Sequence, residues 1–129
     1  MEVPFKGSIA KVYYYEGNPI LVWLPEDKLI PFLTAVEKFK LPLPKVVVDL
    51  GAVRPIANGA DVMGPGVKDV EGSFGEGELV AVVDEKLRAI IAVGVALRPS
   101  SEAREKGKTL RNLHHAGDSI WKAVASGVR

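Results

Sequence analysis

Two apolar runs set the terms for this chain. Residues 78–84, ELVAVVD, and 87–97, LRAIIAVGVAL, are crowded with valine, isoleucine and alanine around a turn at Asp84 to Lys86. Runs this short and this rich in β-branched residues predict strands, and the lack of polar alternation predicts burial on both faces. A chain that carries such a pair must build a packed β core around it. With 129 residues, 47% of them apolar and 26% charged, there is material for one ordinary domain, or for a small domain carrying a fragment of a second.

The flanking segments add short elements of both kinds. Residues 8–24 read as a hairpin, SIAKVYYY and ILVWL around a turn at Glu16 to Pro19. From 26 to 40 the period changes: Leu29, Phe32, Leu33, Val36 and Phe39 recur at helical spacing, with Asp27 as N-cap and Pro31 in the first turn. Leu41-Pro42-Leu43-Pro44 stops that helix and marks the one boundary, giving a segment 1–44 and a domain 45–125. Beyond it, VVVDLGAVRPI reads as a strand up to Arg54-Pro55, Ala60 to Met63 as a turn of helix, and 67–77 as loop. Ser100 or Ser101 caps a helical turn over Glu102 to Lys106 that Gly107 ends. RNLHH supplies a last strand and AGDSIWKAVASG closes the chain around Trp121. The sum is a mixed β fold with short helices, a small β pseudo-barrel preceded by an α+β hairpin-helix segment.

Composition excludes several chemistries. Without cysteine there are no disulfides, no thiolate catalysis and no Cys-based zinc site. No segment approaches the ~20 uncharged apolar residues that cross a bilayer, and the N-terminus does not read as a signal peptide, so a cytoplasmic location is expected. Glutamine is absent and asparagine occurs only at 18, 58 and 112, a lean towards a hot environment. The net charge of +1 is uneven: from Arg98 to Arg129 seven basic residues face three acidic ones, a pattern suited to a localised anionic partner. The glycine-rich run from Gly72 to Gly77 lacks the strand before and helix after that a phosphate loop needs. His114 and His115 are neighbours on a strand and face opposite sides, with no third metal ligand at a useful spacing, so no metal is expected and one of the two should pack inside. No Ser-His-Asp or paired-carboxylate signature stands out, so neither enzyme nor cofactor is expected.

One linear set does stand out: DxGAVRPIxNGADVMGPGV at 49–67, then GELVAVV, IAVGVAL, and GKTLRNLHHAGDSIW at 107–121. These four blocks, in this order, resemble the PUA domain, the RNA-binding module named for pseudouridine synthases and archaeosine transglycosylases. The N-terminal part resembles the end of the pre-PUA domain in the subfamily of the malignant T-cell amplified sequence protein and ligatin, with archaeal relatives. The resemblance implies RNA held between a glycine-bearing first helix and the last strand of the barrel. By position, Asn58, Gly59, Ala60, Asp61, Val62, Met63 and Gly66 would form one wall, and Arg111, Leu113 and His114 the other. Arg54, Lys68, Arg98 and Lys108 join them as flanking cations for phosphate. Val62, Met63 and Leu113 also suit a plain core role, as Trp121 does. The implied function is non-enzymatic RNA binding in translation, on tRNA or ribosomal RNA, with the small ribosomal subunit or a translation factor as partner. Two rivals are an accessory module for an RNA-modifying enzyme and a protein-interaction module using Tyr13 to Tyr15 and Trp23.

Overall fold

A computed structural model describes residues 1–127; Arg129, counted above with the basic segment, lies outside them. The N-terminal part is an antiparallel meander of four strands, β1 (Glu2–Phe5), β2 (Ser8–Tyr15), β3 (Asn18–Leu24) and β4 (Lys28–Pro31), followed by α1 (Leu33–Lys38). The expected hairpin is its centre, and β1 is an addition, paired along its length with β2. The helix expected from residue 26 is corrected. Asp27 sits at φ 65 in the β3–β4 turn, Trp23 pairs with Leu29, and α1 starts only after Phe32, its N-cap residue. Cross-strand pairing of Val22 with Ile30, both buried, outweighs the helical spacing.

Six further strands curl into one sheet in the order β6-β10-β9-β8-β5-β7: β5 (Lys45–Val48), β6 (Val62–Met63), β7 (Val67–Glu71), β8 (Leu79–Asp84), β9 (Ile90–Ala96) and β10 (Lys108–His115). Strand β5 runs parallel to β8 and every other pairing is antiparallel. The central pair β8 and β9 is buried on both faces, as its composition requires. Four local readings change. The strand ends at Val48, because the Asp49 side chain accepts the Ala52 N–H at 2.9 Å and starts α2 (Leu50–Ala57), with Pro55 inside it. The helical turn expected at Ala60 to Met63 is instead the short strand β6, paired with Lys108 and Leu110. The expected loop from 67 contains β7, held on β5 by Val67 and Val70. After Pro99 a single 3₁₀ turn, Ser100–Glu102, replaces the longer helix; neither serine caps it, since the Ser100 hydroxyl accepts the Phe74 N–H instead. The chain closes on α3 (Ser119–Ala125).

The apolar interior is divided in a telling way. One cluster, including Val46, Val48, Ile56, Val80, Val82 and Leu110, is built wholly from residues beyond 45. A second joins Val12, Val22, Leu24, Ile30 and Phe32 of the N-terminal part to Val95, Leu113 and Ile120. A third packs Leu33 and Val36 of α1 on Ala81 and Val93. Thus the Pro42 to Pro44 boundary is crossed by packing on two sides.

Candidate nucleic-acid interface

The helix α2 ends at Asn58, and Gly59 takes φ +97, a conformation that side chains with a Cβ rarely adopt. The Gly59 N–H donates to the Ile56 carbonyl at 3.0 Å and the Ala60 N–H to the Pro55 carbonyl at 2.9 Å, a Schellman closure. No helical turn with open N–H groups follows Gly59. A helix terminates there, and these donors are consumed by its own last carbonyls.

The facing wall is β10, whose pairing with β9 shifts register between Asn112 and His114. Asn112 ties the two walls: its side-chain amide donates to the carbonyls of Ile56 and Ala60, both at 3.0 Å, and its backbone N–H donates to Asp61 at 2.9 Å. Burial acts to raise the Asp61 pKa, but the Asn112 N–H and the Lys108 ammonium, 3.0 Å away, together hold it below the ordinary value. Between the walls lies a cleft of about 400 Å³ whose lining includes Lys6, Asn58, Gly59, Asn112, His115 and Ser119.

The expected site residues divide into four groups. Asn58 and Gly59 are exposed at the cleft, and Ala60 and Asp61 follow them. Val62 and His114 are buried, which corrects their side chains as ligand contacts; Leu113 is 2% exposed yet lines the cleft, and Met63, 46% exposed, is not core. Gly66 is taken up by packing, since an added Cβ would meet the Ala52 side chain at 3.3 Å and its carbonyl accepts the Asp49 N–H. Among the cations, Arg54 and Lys68 are exposed, on α2 and on β7, whereas three others are engaged. Arg98 donates to the carbonyls of Glu102, Lys106 and Lys108 and so staples the 98–108 loop. Lys108 pairs with Asp61, and Arg111 grips Glu26 of the N-terminal part through both guanidinium nitrogens, at 3.2 and 2.6 Å. That hydrogen-bonded pairing raises the Arg111 pKa and lowers that of Glu26.

The two histidines separate as their alternation predicts. His114 is fully buried; its Nε2 accepts the Leu33 N–H at 3.2 Å and its Nδ1 meets Asp118 at 2.7 Å. Burial pushes the Asp118 carboxyl up, but His114 and the N–H groups of Trp121 and His115 outweigh it and leave the pKa lowered. His115 is partly exposed and lines the cleft. It was missed as a site residue, together with Lys6 and Ser119. Among the described residues no group of three or more His, Asp and Glu side chains is placed to hold a metal.

A family model described as the PUA domain matches residues 44–116. The chain belongs to the PUA domain family. This PUA protein is 39% identical over 127 residues to an uncharacterised protein of Methanocaldococcus jannaschii, covering 92% of this chain and 78% of the relative. It is 29% identical over 119 residues to translation machinery-associated protein 20 of Saccharomyces cerevisiae, covering 86% of this chain but 65% of the yeast protein. Malignant T-cell-amplified sequence 1 of Danio rerio matches at 29% over 102 residues, covering 74% of this chain and 56% of that protein, in keeping with the resemblance read from the N-terminal part. The crystal structure of a PUA domain from Aeropyrum pernix K1, in a tartrate complex, superposes with a TM-score of 0.84 at 32% identity, covering 93% of this chain and 70% of that one. The mixed β architecture with short helices is thus the PUA fold.

Proposed function

We infer that this PUA protein is a non-enzymatic RNA-binding protein of translation, of archaeal type and cytoplasmic, and that its ligand is a tRNA acceptor end or ribosomal RNA at the small subunit. The observation that carries the reading is the cleft beside Gly59, where the backbone is bare of side chain and the polar groups of Asn58, His115 and Ser119 converge. The relatedness to a translation machinery-associated protein supports the process. Exposed cations on α2, β7 and the 98–108 loop would meet phosphate, while the cleft takes an unpaired nucleotide.

The test is to titrate tRNA and its CCA-trimmed form against the wild type and Gly59→Glu, with melting curves alongside. The acidic variant has to adopt φ +97 and loses some stability, yet it should stay folded and bind at least tenfold more weakly. About three to five phosphate contacts would give a log-log salt slope near −2 to −4. Normal affinity in a folded Gly59→Glu protein places the RNA elsewhere, and a flat salt response removes the phosphate contacts. One observation favours a second reading as a protein-interaction module: Tyr13 and Tyr15 are 49% and 59% exposed on the N-terminal sheet. A pull-down that survives nuclease would favour it.

A further inference from the structure

The cleft has a third wall that does not belong to the barrel. The β1–β2 turn brings Lys6 to its edge, with left-handed backbone at φ 50, and its ammonium stands 5.2 Å from the ring centroid of the buried Phe5. No ion pair joins Lys6 to a carboxylate among the described residues, although Glu26 lies close enough to feel its charge. The one carboxylate lining the cleft, Asp118, is committed to His114, His115 and Trp121.

His115 lines the same cleft as Lys6. Its Nδ1 lies 2.9 Å from the Ala116 carbonyl. A carbonyl only accepts, so in the neutral imidazole Nδ1 carries the hydrogen and Nε2 presents a lone pair. A Cβ on Gly59 would come 3.4 Å from that Nε2, so the bare face of Gly59 is what leaves the acceptor open. The Asn58 amide and the Ser119 hydroxyl, in the same cleft, have no hydrogen-bond partner among the described residues. A cation with no ion pair and a ring-nitrogen acceptor lining one cleft of about 400 Å³ match a phosphate joined to a heteroaromatic N–H.

We propose that the N-terminal turn completes the RNA site: Lys6 contacts a phosphate, and His115 Nε2 accepts from the base of one nucleotide taken out of the stack against Gly59. The proposal rests on the RNA-binding reading above and adds to it contacts from outside the barrel.

Fluorescein-labelled unfractionated tRNA, followed by anisotropy against the full chain over a salt series, is the probe. Lys6→Asn suits the left-handed backbone and removes the charge; it should flatten the log-log salt slope by about 0.7 to 0.9, one phosphate. His115→Phe keeps a ring without an acceptor and should weaken binding about three- to tenfold, while His115→Gln, which retains an acceptor, should stay near wild type. Melting curves check that each variant is folded, and Lys6→Asn decides by itself if the His115 variants are not. Wild-type slope and affinity in Lys6→Asn overturn the inference while leaving RNA binding standing. Equal loss in His115→Phe and His115→Gln overturns the acceptor role. A wild type that binds neither tRNA nor purified small-subunit ribosomal RNA removes both the inference and the reading beneath it.

Discussion

The barrel and the N-terminal meander are both β structures, yet they hold themselves together differently. The barrel closes a cluster of its own, from Val46 to Leu110, with β8 and β9 buried on both faces. The meander has one face turned inward, and what covers that face is Val95, Leu113 and Ile120 of the barrel part. The barrel cluster needs no residue before 45, although α1 covers the other face of β8 and β9 at Ala81 and Val93, whereas a sheet with one inward face is as stable as whatever covers it. The candidate RNA cleft sits along this seam, with Gly59 and His115 from the self-sufficient part and Lys6 from the dependent one.

Cutting the chain at the seam tests this contrast with the largest expected effect. Residues 1–44 alone should be unfolded by circular dichroism. Residues 45–125 should fold and still bind RNA, more weakly for want of Lys6 and with a salt slope flatter by about 0.7 to 0.9, and should show a lower melting temperature and a tendency to self-associate through the uncovered Val93, Val95 and Leu113. A fragment 45–125 as stable as the full chain would break the comparison. Next in size, Phe32→Ala should cost about 3 to 5 kcal/mol in urea denaturation. Phe32 is buried at the seam, its ring centroid 5.1 Å from that of His114 and 6.0 Å from that of Trp121.

Two carboxylates extend the contrast to acid, one in a turn of the barrel and one at the seam. Asp84 accepts N–H bonds from Lys86, Leu87 and Ala89 in the β8–β9 turn; the Leu87 bond leads in lowering its pKa, outweighing burial. Asp118 braces His114 at the seam and is lowered as well. A carboxyl whose folded pKa lies below its unfolded one contributes stability above the unfolded value and loses it as pH falls through the folded one. Stability should therefore hold down to about pH 4 and then fall. Asp84→Asn and Asp118→Asn should each cost about 1 to 3 kcal/mol at pH 7 and make the acid limb shallower. Urea denaturation at pH 7 and pH 3 measures both, and an unchanged acid limb in both variants would assign acid sensitivity to other groups.

The smallest expected effect is at the exposed pair Glu26–Arg111, which bridges the two regions. Glu26→Ala should change stability by about 0.2 to 1 kcal/mol, less at high salt. Its use is sharper in binding: releasing Arg111 should tighten tRNA binding if this arginine reaches phosphate, and an unchanged affinity would mark the pair as purely structural.

Much of this was legible in one dimension. The β8 and β9 runs, the first hairpin, the Gly107 stop and the opposed histidines follow from period, propensity and turn chemistry, which are local. So does the order of the four blocks that resemble a PUA domain. What went wrong went wrong where distant residues decided. Leu29 reads as helical until Trp23 lies across from it, and Val67 reads as loop until β5 is beside it. Leu-Gly-Ala-Val-Arg-Pro is the exception, since the Asp49 cap that starts its helix is local, and only the burial of Ile56 is a tertiary matter. The amino-acid order determined that the chain forms a β core with a basic, glycine-marked PUA pattern. Only the tertiary structure decided which side chains face the cleft, since Arg98 and Arg111 are bound by partners far along the chain or in loop backbone, while Lys6 and His115 meet Gly59 through a fold that no spacing encodes. Burial and partner choice are properties of the closed structure, and residues more than 50 positions apart, such as Asp61 and Asn112, acquire them together.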